Sequence, residues 1–336
     1  MSRTAPSHPA AAPAAAPGAA ASPADHAAAG SPAQVPLSVV VTVVDGGAAL
    51  RRCLAALAAQ EGAPEFEVLV PVDDSVAGLA ALRSEFPRVR FLEMGRVPTE
   101  RPAASPAGQH ELFDRRRAAG LAAAAGELVA ILEDRSVPRP DWARTAVALH
   151  AAPDVVIGGA IENGVDLILN WAVYFCDFGR YQPPFPPGPA AWASDVNVCY
   201  KREALARTRP LWQERYHETT VHWALQRAGH RLVVSPALVV EQVRDDLRLR
   251  DLLRERFHWG RLFAFTRVRE TGSPWRRPAF NAASTLLPLL LYTRLARLQL
   301  RRRAAPRRFL QATPAILLLL TAWSLGEFVG YVTGRR

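Results

Sequence analysis

Between residues 37 and 133, runs of apolar and β-branched residues alternate with segments of helical spacing. The first run, LSVVVTVV from Leu37, is nearly continuous, which is typical of a strand buried on both faces. The segment AALRRCLAALAAQ follows it with the spacing of a helix. Further strand-like runs occur at FEVLVPV, RVRFLEM and ELVAILE. This alternation predicts an α/β fold with a Rossmann-type, mainly parallel sheet and helices on both faces.

Acidic residues stand at the ends of three of these runs. Asp45 comes after the first run, Asp73 and Asp74 after the second, and Glu133 and Asp134 close the fourth. In an open parallel sheet, right-handed crossovers place the functional loops at the carboxyl ends of the strands. We therefore expect these carboxylates to lie along one edge of the sheet.

The composition divides the chain into four regions. Residues 1–36 are an Ala/Pro/Ser/Gly tract without bulky apolar residues, and we expect disorder there because too little apolar surface is available for burial. Residues 37–245 hold the α/β pattern. Residues 246–275 have the spacing of an amphipathic helical connector. Residues 276–336 contain apolar stretches around an arginine-rich loop and are predicted to form C-terminal hydrophobic membrane helices.

The charge of the last region predicts contact with a membrane. It holds eleven arginines and one acid, whereas the remaining 30 basic and 30 acidic residues cancel. A neutral body with a basic apolar tail favours anionic lipid as a partner, and nucleic acid is not expected. The positive-inside rule places the arginine-rich loop, and with it residues 37–245, in the cytoplasm at the cytoplasmic membrane. Three widely spaced cysteines without CxxC pairing fit a reducing compartment.

The two apolar stretches of the tail differ in length. Pro278 to Thr293 has 16 residues without a charge, and a helix of about 24 Å is short for a hydrocarbon core of about 30 Å. It is therefore predicted as an interfacial or re-entrant helix. Phe309 to Gly334 is long enough to span, although Pro314 and Glu327 weaken that interpretation. The alternative for both stretches is a packed helical hairpin of a soluble protein.

Six segments of the chain occur in the order and approximate spacing of a known family. They are SVVVTVVDGGAALRRCLAALAAQ, EVLVPVDDS, RRRAAGLAAAAGELVAILED, VPRPDW, NVCYKREAL and HETTVHWALQRAG. Through them, residues 37–260 resemble a membrane-attached, inverting family 2 glycosyltransferase of the GT-A fold. The resemblance implies a nucleotide-sugar donor bound at the strand ends.

Several site residues follow from this resemblance. Thr42, Asp45 and Asp73 match family positions that contact the nucleotide base, and Arg117 matches an arginine that leans toward the diphosphate. Arginine suits that task because its planar fork donates two hydrogen bonds to phosphate. The alternatives are a helix-capping turn for Asp73 and a solvated helix face for Arg117.

The family pattern for a metal is altered in this chain. Typical members place Asp-x-Asp where this chain has Glu133, Asp134 and Arg135. The resemblance implies that Glu133 and Asp134 bind Mg²⁺ or Mn²⁺ through oxygen, and that Asp134 and Arg135 contact the donor, with Arg135 adding positive charge at the diphosphate. A later metal-associated histidine of the family aligns with Glu241. The alternative is that Glu133 and Asp134 are loop residues without a ligand.

The resemblance also names a base. In the family, an acidic pair opens a helix that ends in a glycine eleven residues later, and Glu218 precedes Gly229 by that spacing. Glu218 is therefore the expected general base, with His217 beside it and Asp195 as the substitute if Glu218 lies elsewhere. The alternative is an ordinary helix N-terminus, where glutamate is favoured by the helix dipole.

These features predict non-processive, inverting transfer of a sugar to a lipid-linked or cell-envelope acceptor at the cytoplasmic membrane face. Non-processive transfer is expected because the Gln-x-x-Arg-Trp of processive synthases is missing and RFHWGR occupies that region. The alternative from another functional class is a catalytically silent scaffold of a membrane assembly. Five aromatic residues either shape an acceptor groove or pack in the core: Trp171, Tyr174, Phe175, Tyr181 and Trp192.

Overall fold

The computed structural model describes residues 35–271 and 277–334. The predicted disordered tract 1–36 therefore lies outside the described residues, apart from its last two positions. The strands are β1 Leu37–Thr42, β2 Phe66–Val72, β3 Val89–Glu93, β4 Leu128–Glu133, β5 Ser136–Pro138, β6 Val156–Asn163, β7 Gly188–Pro189, β8 Asn197–Lys201 and β9 Leu232–Gln242. The helices are α1 Gly47–Ala58, α2 Leu79–Glu85, α3 Pro106–Ala123, α4 Trp142–Leu149, α5 Ile168–Asp177, α6 Arg202–Arg207, α7 Arg209–Trp212, α8 Glu218–Arg227, α9 Leu249–Thr271, α10 Arg277–Ser284, α11 Leu287–Arg302 and α12 Pro306–Thr333.

The strands form a single sheet in the order β3-β2-β1-β4-β8-β6-β9-β5, and β7 pairs with β9. The first four strands in this order are parallel to one another, and Thr42 at the end of β1 faces Glu133 at the end of β4. β8 is antiparallel to both β4 and β6, and β5 and β7 are antiparallel to β9. The predicted α/β sheet is confirmed, and its second half is more antiparallel than the sequence indicates.

Helices cover both faces of the sheet, as predicted. On one face α1 packs Leu50 and Leu54 against Val39 and Val41 of β1. On the other face α3 and α8 contribute to a second core around Val40. β1 is therefore buried on both sides, which is the physical reason for its continuous run of β-branched residues.

The segment DRRRAAGLAAAAG has helical spacing and predicts a helix that begins at Asp114, whereas α3 begins eight residues earlier, at Pro106. Ser105 caps it by accepting a hydrogen bond from the backbone N–H of Gly108 at 3.1 Å, and Pro106 occupies the first helical position. Both residues are favoured at helix starts. The two added turns carry His110 and Glu111 to the carboxyl edge of the sheet.

Of the five aromatic residues, Tyr174 and Phe175 are buried in the core and Trp171 packs against both. The core interpretation is confirmed for them. Tyr181 is also buried, whereas Trp192 is exposed and lies beside Trp223.

The helix α12 packs against the α/β body. Phe309, Ile316 and Leu319 belong to the same core as α5, so the tail and the body share buried surface. Between α9 and α12 the backbones meet directly: a Cβ on Gly260 would overlap the carbonyl oxygen of Trp323. The boundaries of the four predicted regions stay predictions.

Within the part of the chain that the structure describes, α12 alone is long and apolar enough to cross a membrane, and half of its apolar window is buried in the protein. Its other face exposes Leu310, Leu317, Leu318 and Leu325. The shorter apolar stretch is divided between α10 and α11 by a turn at residues 285–286. The prediction of one continuous helix over that stretch is therefore wrong, because the turn interrupts it, and its interfacial or re-entrant placement stays a prediction.

Candidate active site

Asp134 organises the loop after β1. Its Oδ2 atom accepts hydrogen bonds from the backbone N–H groups of Val44 and Asp45, both at 3.0 Å, and of Gly46 at 2.7 Å. Asp134 is 1% exposed, and no hydrogen bond to its Oδ1 atom is found among the described residues. Burial raises the pKa of Asp134 to about 6, although the backbone hydrogen bonds oppose that shift. The carboxylate thus joins the end of β4 to the loop that follows β1.

Asp73 is held by an arginine that the sequence analysis did not single out. The Nε atom of Arg116 donates to Asp73 Oδ2 at 2.7 Å, and its Nη2 atom donates to the hydroxyl of Ser75 at 3.0 Å. Burial alone would raise the pKa of Asp73, but the hydrogen bonds from Ser75 and the charge of Arg116 lower it. Asp73 is therefore an ionised, fixed acceptor at the end of β2.

Arg117 links carboxylates from three parts of the chain. Its Nη2 atom lies 2.9 Å from Glu133 and 2.8 Å from Asp195, and its Nη1 atom lies 3.4 Å from Asp114. The side chain is only 6% exposed. Burial opposes its charge, yet these carboxylates raise the pKa of Arg117 above its ordinary value. Arg117 therefore compensates the charge of this acidic cluster.

Arg135 forms a two-pronged ion pair with Asp45. Its Nε atom donates to Asp45 Oδ2 at 2.6 Å, and its Nη2 atom donates to Asp45 Oδ1. Both side chains are partly exposed, at 17% for Arg135 and 29% for Asp45. This ion pair is a second connection, in addition to the hydrogen bonds of Asp134, between the loop after β1 and the end of β4.

Glu218 is the first residue of α8 and lies close enough to Arg117 and its carboxylate partners for their charges to change its pKa. Burial and the negative charge of Asp195 raise its pKa to about 8, while Arg117 opposes the shift. Its neighbour His217 lies 3.3 Å from Asp114 through Nδ1, and burial together with Arg215 and Arg117 lowers the pKa of His217. Burial also raises the pKa of Asp114 to about 7. Carboxyl groups with raised pKa values suit proton transfer.

The structure brings most of the predicted site residues together. Asp45, Arg135 and Asp134 meet at the β1 loop, and Arg117 connects Glu133 with the surroundings of Glu218. Thr42 is different, because its side chain is fully buried and its hydroxyl has no hydrogen-bond partner in the described ranges. Contact of Thr42 with a nucleotide, and the roles of the other residues, stay predictions.

The oxygen atoms at this place do not fit a divalent metal. The described residues contain no group of three or more His, Cys, Asp or Glu side chains arranged to hold a metal ion. Glu133 is paired with Arg117, and one oxygen of Asp134 is occupied by three backbone N–H groups. Glu241 is exposed on β9, opposite Val137 of β5. Mg²⁺ and Mn²⁺ prefer several free oxygen ligands, whereas these carboxylates are engaged by arginine or backbone.

Comparison with known proteins supports the fold. No protein-family model matches the sequence, and no curated protein sequence matches it. The structure is similar to the mannosyltransferase PcManGT from Pyrobaculum calidifontis, solved in complex with GDP-Man and Mn²⁺, with a TM-score of 0.51 and 18% identity over 90% of this chain and 88% of that one. At this identity the similarity establishes a glycosyltransferase-type fold and no more.

Two structures of TarS from S. aureus are less similar. The longer chain matches with a TM-score of 0.40 and 15% identity, over 68% of this chain and 39% of TarS. TarS 1–349 matches with a TM-score of 0.43 and 14% identity, over 89% and 92% of the two chains. Similarity at this level adds nothing to the fold assignment.

Two of the residues in this cluster were missed by sequence reasoning. Arg116 stands beside Arg117 in the run DRRR, and the sequence offers no local signal for which arginine faces Asp73. Asp114 opens the same run, and its carboxylate reaches Arg117 one helical turn later at i,i+3. That spacing is visible in the sequence and is the signal that would have found it.

Proposed function

We propose that the protein is a nucleotide-sugar-dependent glycosyltransferase that transfers one sugar per cycle with inversion. Its acceptor is lipid-linked or belongs to the cell envelope, and the reaction takes place at the cytoplasmic membrane face. The observation that carries the proposal is the cluster of Glu218, Asp195, Arg117 and Glu133 at the carboxyl edge of a glycosyltransferase-type sheet. The donor complex of the similar mannosyltransferase supports a nucleotide sugar as the ligand class.

In the proposed reaction, the acceptor hydroxyl attacks the anomeric carbon and forms the new glycosidic bond. The bond between that carbon and the diphosphate oxygen breaks, and the diphosphate leaves with the electron pair. The hydroxyl proton passes to the carboxylate of Glu218. Asp73 is fixed by Arg116 as an acceptor for the nucleotide base, and Asp45 and Arg135 border the donor at the next loop.

The tail supports a membrane acceptor. α12 presents Leu310, Leu317, Leu318 and Leu325 to the outside along one face, and exposed arginines flank its first turns. Apolar surface combined with arginine favours adsorption to anionic lipid. A lipid-linked acceptor in the same membrane would reach the protein without leaving the bilayer.

The second candidate is a catalytically silent scaffold. It is favoured by one observation: at the expected metal position, Glu133 is already paired with Arg117, and one oxygen of Asp134 accepts hydrogen bonds from three backbone N–H groups. A scaffold would keep the fold and the ion pairs and have no turnover.

Donor binding is the first test. Thermal shifts of the full-length protein in detergent with UDP-, GDP- and dTDP-sugars identify a donor, since a ligand that binds only the folded state raises its melting temperature. Release of the nucleoside diphosphate is then followed for the wild type, Glu218→Gln and Glu214→Gln. Glu214 is an exposed acid on the same loop and serves as the matched control. The enzyme proposal requires turnover that Glu218→Gln reduces and Glu214→Gln retains, and equal background release from all three proteins would support the scaffold.

A further inference from the structure

Arg244 follows β9 and lies beside Arg135. The backbone N–H of Val243 donates to the carbonyl oxygen of Arg135 at 2.9 Å, and the Nδ2 atom of Asn170 donates to the carbonyl oxygen of Arg244 at 2.7 Å. These two bonds fix the backbone of Arg244 against the segment that follows β4. The backbone of Arg244 therefore lies at the same edge of the sheet as the candidate active site.

The side chain of Arg244 lacks a counterion. Its Nε atom is buried without a hydrogen bond, and no carboxylate lies within ion-pair distance of its guanidinium, in either case among residues 35–271 and 277–334. Burial and the positive charge of Arg135 lower the pKa of Arg244, although Glu255, Asp177 and Asp45 act in the opposite direction. A half-buried guanidinium beside another cation is unfavourable unless an anion joins them.

The other arginines of the candidate site are compensated. Arg116 is paired with Asp73, Arg117 with Glu133 and Asp195, and Arg135 with Asp45. Asp45 engages the Nε and Nη2 atoms of Arg135, so the Nη1 group of Arg135 remains for another acceptor. Both guanidinium groups therefore have donors left for a further acceptor, and they are near enough for the charge of Arg135 to lower the pKa of Arg244.

We propose that Arg244 and Arg135 together bind the diphosphate of the donor, at the place where the resemblance implies a divalent metal. This inference rests on the proposed function for the identity of its ligand. Guanidinium groups bind phosphate oxygens through paired, charge-assisted hydrogen bonds. Donor binding therefore does not require a metal, which agrees with carboxylates that are already engaged by arginine and backbone.

Calorimetric titration of the full-length protein with inorganic pyrophosphate, UDP and GDP in excess EDTA tests this proposal. We expect the wild type to bind pyrophosphate and at least one nucleotide. Arg244→Gln and Arg135→Gln should each weaken that binding by about 10- to 100-fold, because each removes charge-assisted hydrogen bonds. Arg248→Gln is the matched control, since Arg248 is an exposed arginine four residues further along the chain, and it should bind as the wild type does.

Other outcomes would overturn the proposal. Binding that needs added Mg²⁺ or Mn²⁺ would assign the diphosphate to a metal, and unchanged affinity of Arg244→Gln in EDTA would remove this residue from the site. Arg244→Lys keeps the positive charge but removes the planar guanidinium group. It should retain the fold and bind the ligand more weakly than the wild type, so it also controls for a Gln variant that fails to fold. Arginine-dependent nucleotide binding without sugar transfer would refute the proposed function and leave this site intact. No binding of pyrophosphate or nucleotide, with or without metal, would refute both.

Discussion

The raised pKa of Glu218 predicts a distinctive pH profile. A general base must be ionised, and with a pKa of about 8 only about a tenth of Glu218 is ionised at pH 7 and about nine-tenths at pH 9. The value of kcat/KM should therefore rise about tenfold from pH 7 to pH 9. This parameter reports the free enzyme, so the charge of a bound diphosphate does not disturb it. The assay is release of nucleoside diphosphate at constant ionic strength.

Asp195 provides the matched perturbation. Its charge is the second cause of the raised pKa, after burial, so Asp195→Asn should move the rising limb of the profile to lower pH. Loss of Asp195 also frees Arg117 to favour the ionised form of Glu218, which acts in the same direction. Glu218→Gln should lower the rate by about 10²- to 10⁴-fold and abolish the limb. A flat wild-type profile, or a limb that persists in Glu218→Gln, would show that another group is the base.

Stability provides an independent readout of the same residue. Because the pKa of folded Glu218 lies above its ordinary value of 4.5, the folded state holds this proton more tightly than the unfolded state. The contribution of Glu218 to stability is therefore present at pH 4 and is lost as the pH rises toward about 8. Glu218→Gln should raise the melting temperature at pH 9 more than at pH 5. Equal shifts at both pH values would contradict the raised pKa.

Three further predictions concern the ion pairs, the β1 loop and the tail. Arg117→Met leaves three carboxylates uncompensated and should destabilise the fold by about 3–5 kcal/mol, measured by urea unfolding; a loss below about 1 kcal/mol would contradict its role. Asp134→Ala removes the acceptor of three backbone N–H groups and should cost about 1–3 kcal/mol. Hydrogen exchange in the β1 loop should increase with it, and unchanged protection would refute the assignment. Leu317→Glu and Leu325→Glu alter exposed positions of α12 and should reduce flotation with phosphatidylglycerol vesicles while the melting temperature is retained; undiminished flotation would exclude this face.

Local pattern is sufficient to predict the first four strands of the sheet. β1, β2 and β4 lie where their apolar runs indicate, because burial on both faces requires such runs at those positions. The start of α3 was missed, since it depends on the Ser105 cap and carries little apolar signal. The antiparallel insertion of β8 between β4 and β6 is set by tertiary packing, and periodicity does not encode strand direction.

The sequence was sufficient to predict where the residues of the candidate site lie, but not which residues form ion pairs with one another. The strand-end carboxylates lie together as expected, because the topology requires it. Whether an arginine serves a ligand or a neighbouring carboxylate depends on contacts between distant segments, as in the pair of Arg117 with Asp195. For the same reason, the absence of a counterion for Arg244 among the described residues becomes visible only when α9 and β9 are seen together.

The close contacts at glycine residues between α9 and α12 hold these two helices rigidly together. A side chain on Gly326 or Gly330 would overlap backbone or side-chain atoms of α9. The two helices are therefore expected to move as one rigid unit. Trp259 on α9 packs against His110 of α3, which lies one turn from Asp114. A tilt of α12 would therefore be transmitted to the candidate active site, and the distance of that site from any surface that α12 contacts is fixed by the packing of α12 on the α/β body.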